Sequence, residues 1–130
     1  MAKAPSPRRG GIYLLKADPV LGAPADKCRL CVVVQNDRDN RLRSVTIVAA
    51  ISTESASESL PFTVRLDAGT TDLSTGSFVN CGHLYTVSLG QLQGPIVELP
   101  SAKMAEVDRA ILAILGVVAA EKSGTPKDRE

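Results

Sequence analysis

Tryptophan is absent from this 130-residue sequence, and two tyrosines and two phenylalanines are its only aromatic residues. So few rings exclude an extended surface that holds nucleic acid mainly by stacking on bases. Net charge is nearly missing as well. Fifteen Lys and Arg stand against 14 Asp and Glu, a formal +1, so there is almost no bulk attraction for a polyanion and any nucleic-acid binding must come from a local cluster. The longest apolar run, residues 111–120, falls far short of the roughly 18–20 residues needed to cross a bilayer, so no membrane span is expected. The N-terminal stretch MAKAPSPRRGG is basic but has no apolar segment behind it. No secretory signal is read there, and the expected location is the cytoplasm. Three cysteines, Cys28, Cys31 and Cys81, are an odd number in a reducing compartment and are expected as free thiols.

What is present suits one domain. Hydrophobic residues make up 44% of the chain against 22% charged, enough apolar surface to offset the entropy of ordering. Residues 1–9, with two prolines and three basic residues, read as a flexible basic arm, residues 10–120 as the domain, and the polar residues 121–130 as a disordered tail. GIYLLKAD at 11–18 reads as a strand ended by Pro19. Residues 20–28, with Gly22, Pro24, Asp26 and Lys27, form a long excursion and hence a candidate functional loop. LCVVVQ at 30–35 and SVTIVAAI at 44–51 are β-branched and apolar without alternation, as strands buried on both faces are. The polar cluster at 36–40 between them reads as a turn. FTVRL at 62–66 alternates like a half-exposed strand, and short strands near 77–80 and 84–87 complete the sheet. One clear helix follows Pro100, with Ser101 as its expected N-cap and Met104, Val107, Ile111, Ile114, Leu115 and Val118 as an apolar stripe at helical period. The pattern is mainly β with a C-terminal helix, in the form of a small, strongly bent, barrel-like sheet capped by that helix.

Three blocks, in this order, resemble the MazF/PemK family of RNA-cleaving toxins: RGGIYLLKADPVLG at 9–22, CRLCVVVQND at 28–37 and SVTIVAAIST at 44–53. LPFTVRL at 60–66 and the helix at 104–117 extend the likeness, which covers about residues 9–118. The resemblance implies an SH3-like small barrel of the MazF/PemK/CcdB kind, acting as a homodimer. It implies cleavage of single-stranded RNA by attack of a 2′-hydroxyl on the adjacent phosphate, with no cofactor or metal. It also implies a cognate antitoxin that occupies the RNA groove.

Arg29 matches the family's catalytic arginine. A planar, permanently charged guanidinium suits a phosphate on which charge is building. Ser52 stands where the family has a strand-ending threonine that supports the transition state, and Thr53 takes that place if the register shifts by one. His83 is the only histidine, and an imidazole titrates in the range useful for proton transfer to or from RNA oxygens. Asp26, Lys27, Thr53 and Tyr85 are the expected RNA contacts, Tyr85 as the ring best placed to stack on a base.

The sequence departs from the family at three points. Ala23-Pro24 follows Gly22 where Ser-Glu is usual, leaving Asp26 as the nearest carboxylate. Leu30 replaces a proline after Arg29, and His83-Leu84-Tyr85 stands where a Gln-x-Arg element lines the RNA site. Two rivals follow: a CcdB-like protein that binds gyrase without cutting RNA, and a family member that binds RNA or antitoxin but no longer cleaves. Cys28 and Cys31 with Cys81 and His83 also read as four zinc ligands, against the simpler reading of small buried cysteines.

Overall fold

The β-branched runs fold as their patterning requires, into one antiparallel sheet. In a computed structural model, which describes residues 6–16, 29–52, 62–67 and 77–119, the elements run in order β1 (Gly11–Leu15), β2 (Arg29–Val33), α1 (Asp37–Leu42), β3 (Val45–Ser52), β4 (Thr63–Leu66), β5 (Ser77–Ser88), β6 (Leu92–Glu98) and α2 (Ser101–Ile114). The six strands lie in the order β4-β5-β3-β2-β1-β6. Among the described residues no pairing joins β4 to β6, so the small barrel-like fold stays open by hydrogen bonding.

Side chains alternate along a strand, so β2 and β3 feed two cores at once. Ile12, Val32, Ala49, Val64, Leu66 and Val79 face α2 and meet Met104, Val107 and Ala110. Tyr13, Leu15, Cys31, Val33, Val48 and Val87 form a second cluster on the other side. Gly10 lies where the first core closes. Its φ is +92°, and a Cβ there would come within 3.3 Å of Met104 Cγ, so only glycine lets the chain turn so close to the helix.

Five sequence expectations change. The polar cluster expected as a turn is the start of α1. Asn36 caps it by accepting the Asp39 N–H at 2.8 Å, and Asp37 and Asp39 complement the helix N-terminus. The cap and acidic first turn were legible, but only tertiary bonds to the buried Asn40 make so short a helix persist. The two short strands near 77–80 and 84–87 are one strand of 12 residues, β5. β6 was not anticipated, because Gly94 and Pro95 punctuate it; proline is tolerated there since β6 is an edge strand. Pro100, not Ser101, is the N-cap of α2. The apolar stripe of α2 holds only at its start: Met104 and Val107 are buried, whereas Ile114 and Leu115 are exposed, so the helix leaves the sheet after Ile111.

Residues 6–9 make contacts with the domain that follows them. Pro7 is buried, the Arg9 N–H donates to Asp37 at 2.7 Å, Arg9 Nε donates to the Val34 carbonyl at 3.2 Å, and the Arg9 guanidinium pairs with Asp108. One arginine thus joins the N-terminal segment, α1 and α2. The cause is geometric: its partners are 25 to 99 positions away in sequence, so composition gives no sign of them.

Candidate active site

Arg29 is the first residue of β2 and is exposed, and Ser52 is the last of β3 and is half-buried. The register decides whether they meet. Cys31 pairs with Ala50 and Val33 with Val48, and the same register carried back along β2 sets Arg29 opposite Ser52. Residues directly opposite in an antiparallel pair point to the same side. Leu30 and Ile51 pack against the core under α2, so Arg29 and Ser52 project from the opposite side. Two residues 23 positions apart in sequence thus share one cross-strand position.

The row continues on both sides. Arg29 pairs with Leu15, and Leu15 with Leu92; Ser52 pairs with Phe78, and Phe78 with Arg65. All six strands therefore contribute one residue to a single line: Leu92, Leu15, Arg29, Ser52, Phe78, Arg65. Leu92 and Leu15 make one end apolar, and Arg29 and Ser52 stand side by side, with Phe78 between Ser52 and the second guanidinium, that of Arg65. In sequence Arg65 is only the polar position of an alternating strand, and nothing short of the full register places it on this line.

His83 and Tyr85 stand further along β5, Tyr85 paired with Val48, two same-side positions along β3 from Ser52. Asn80 pairs with Ala50 and Leu84 with Ala49, so Cys81, Gly82 and His83 have no partner on β3 and bulge from the ladder. The bulge is held by Cys81 N–H donating to the Phe62 carbonyl at 2.9 Å and by Gly82 N–H donating to Asn80 Oδ1 at 3.0 Å. Gly82 is needed there, since a Cβ would press to 3.0 Å from the Phe62 ring. The bulge leaves His83 exposed, its ring centroid 6.4 Å from that of the half-buried Tyr85. Tyr85 packs on the second cluster, which places the pair on the same side as Arg29 and Ser52. Asp26, Lys27 and Thr53 lie outside the described residues.

The zinc arrangement fails on geometry. Cys31 belongs to the second cluster and donates weakly to the Tyr13 carbonyl, whereas Cys81 belongs to the core under α2 and donates to the Val107 carbonyl. The sheet stands between the two thiols, so one ion does not reach both. Cys28 lies outside the described residues, and no cluster of metal-ligating residues occurs among the described ones.

Burial pushes the Cys31 thiol up to about 12, against a small opposing effect of its bond to the Tyr13 carbonyl. The unfolded chain releases this proton at lower pH than the folded one does. Stability from this group is therefore intact at neutral pH and declines as pH rises past the ordinary thiol value of 9.0 toward the folded value. Urea unfolding across that range should show a steeper alkaline loss for the parent than for Cys31→Ala. Equal slopes would mean that the thiol titrates normally.

An antiparallel β protein with a C-terminal helix on one side and an arginine beside a hydroxyl on the other defines a recognisable fold class. It superposes on an endoribonuclease solved in complex with its cognate antitoxin from a mycobacterial species, with a TM-score of 0.70 and 21% identity over 87% of this chain and 98% of that one. Sequence carries the assignment further. The model of the PemK-like, MazF-like toxins of type II toxin-antitoxin systems matches residues 8–115. The chain is 30% identical over 111 residues to the endoribonuclease EndoA of Bacillus subtilis (85% of this chain, 96% of that protein). It is 31% identical over 110 residues to the endoribonuclease MazF of Staphylococcus saprophyticus (85% and 92%). The chain belongs to the PemK-like, MazF-like toxin family.

Proposed function

We propose that this protein is a metal-independent endoribonuclease toxin that cuts single-stranded RNA in the cytoplasm and is silenced by a cognate antitoxin. The observation that carries the chemistry is the pairing of Arg29 with Ser52 on one cross-strand line. Arg29 holds the scissile phosphate in its two-pronged guanidinium while the adjacent 2′-hydroxyl attacks phosphorus. Ser52 donates its hydroxyl to an oxygen gaining charge. The 5′-oxygen leaves, and a 2′,3′-cyclic phosphate remains on the other fragment. His83, exposed on the bulge of β5, transfers the proton, and Tyr85 beside it supports a base by stacking. Asp26, Lys27 and Thr53 complete the RNA contacts in this reading.

Two partner proposals accompany it. A cleft of about 340 Å³, lined by Pro7, Tyr13, Leu89, Leu92 and Pro95, adjoins the apolar end of the line and gives an extended antitoxin segment an apolar seat. A second copy of the chain completes the RNA groove in a homodimer, as the family resemblance implies.

Incubation with mixed RNA in EDTA, followed by analysis of fragment ends, tests the reaction. Cleavage is expected to persist and to leave 2′,3′-cyclic phosphate and 5′-hydroxyl ends. Fragments with 5′-phosphates, or activity abolished by the chelator, would overturn the mechanism.

A further inference from the structure

We infer that Arg65 is a second RNA-backbone contact, a substrate-positioning residue that grips a phosphate further along the strand than the one held at Arg29. The inference rests on the endoribonuclease reading above and names how that site holds its substrate.

The register supplies the geometry. Arg65 pairs with Phe78, Phe78 with Ser52, and Ser52 stands opposite Arg29. Val64 and Leu66 point into the core under α2, so Arg65 between them points to the side that carries Arg29 and Ser52. From β2 to β4 there are three strand spacings, about 14 Å at ~4.8 Å each. That is too far for both guanidinium groups to share one phosphate at rest, and it suits two phosphates of one strand laid across the sheet. Phe78, the residue between Ser52 and Arg65, is buried and offers the backbone no competing charge.

Electrostatics points the same way. A net charge of +1 leaves RNA affinity to local clusters, and two arginines on one line with no acidic residue among its six members are such a cluster. Asp67 is an acidic neighbour of Arg65. Its oxygen is 4.0 Å from Nε, and both side chains are largely solvent-exposed, 61% and 81%. A pair so open to water is weak and yields to a phosphate that accepts two parallel bonds from the guanidinium.

A positioning contact on the backbone holds ground state and transition state alike, so its loss raises KM and leaves kcat nearly unchanged. The test uses the full-length protein and a single-stranded oligonucleotide carrying a mapped cleavage site, with a 2′-deoxy sugar at the attacking position so that it binds but is not cut. Arg65→Ala should bind roughly 3- to 10-fold more weakly at moderate salt. The slope of log affinity against log salt should fall by ~0.7, the value for one phosphate contact on a single strand. Arg65→Lys should keep the slope, since it keeps the charge. On cleavable RNA, Arg65→Ala should raise KM with kcat retained and the cleavage site unmoved. If the parent cleaves RNA while Arg65→Ala matches it in affinity, salt slope and KM, Arg65 is not a contact and the inference is overturned. If the parent itself fails to cleave, the endoribonuclease reading has failed instead. Because Arg65 is exposed, thermal melting of the variant should match the parent, and a loss of affinity accompanied by a large fall in melting temperature would count against a direct contact.

Discussion

Replacing Arg29 with alanine is expected to lower the rate of RNA cleavage by ~10²–10³-fold, the loss typical of removing one donor aimed at charge that develops in the transition state. Fold is not at issue, because Arg29 is the exposed first residue of β2 and its loss opens no cavity. Lysine at this position restores charge without the planar fork, so Arg29→Lys should recover only a fraction of the activity. The effect belongs in kcat as well as kcat/KM, which separates Arg29 from the backbone contact inferred for Arg65. His83 offers a contrasting case. As the proton-transfer group it should lose ~10²–10⁴-fold on change to alanine, with an altered pH profile, and phenylalanine should not rescue it although the ring is kept. Single-turnover cleavage of a defined oligonucleotide by matched, folded variants gives the comparison. Should Arg29→Ala and Ser52→Ala both cut as fast as the parent, the assignment of catalytic residues is wrong. A non-cleaving family member, or a CcdB-like gyrase-binding protein, would then be the better account.

Asn40→Ala should be among the most destabilising changes to a polar residue in the described structure, costing about 2–4 kcal/mol and lowering the melting temperature by roughly 10 °C. Asn40 is 1% exposed and sits at the centre of a network. Its Oδ1 accepts from Gln35 Nε2 at 2.7 Å and from the Thr46 hydroxyl at 2.6 Å, while its Nδ2 donates to the Gln35 carbonyl at 3.0 Å. Arg43 closes the group by donating to Gln35 Oε1 at 2.7 Å. Alanine would leave the Gln35 carbonyl and the Thr46 hydroxyl buried without those partners, and the desolvation of each is then uncompensated. Thr46→Val should cost less, about 1 kcal/mol, because Asn40 keeps its bonds to Gln35. The two changes share a partner, so their effects should not add in a double-mutant cycle. A melting temperature for Asn40→Ala within the error of the parent would show that the network is not a stabilising element. The network also bears on function, since it braces the connection between β2 and β3 and with it the register that sets Arg29 opposite Ser52.

Much of this protein was written locally. The apolar β-branched runs of β2 and β3, the helical stripe through Met104 and Val107, and the order of the family blocks were each legible from neighbouring residues. Each depends on a periodicity or a chemistry that a short window contains. The residue types of the site, a guanidinium at the start of one strand and a hydroxyl at the end of the next, were legible for the same reason. Their meeting was not. Register is a relation between strands distant in sequence, and a slip of one residue would have turned Arg29 or Ser52 to the opposite side. Tertiary structure therefore decided that Arg29, Ser52 and Arg65 lie on one line, and that Cys31 and Cys81 lie on opposite sides of the sheet. It likewise decided that residues 36–42 form a capped helix rather than a turn, because the bonds that hold Asn40 come from Gln35 and Thr46 outside that helix. Composition fixes which groups are available; only the pairing of strands and the burial of polar partners fixes which of them face one another.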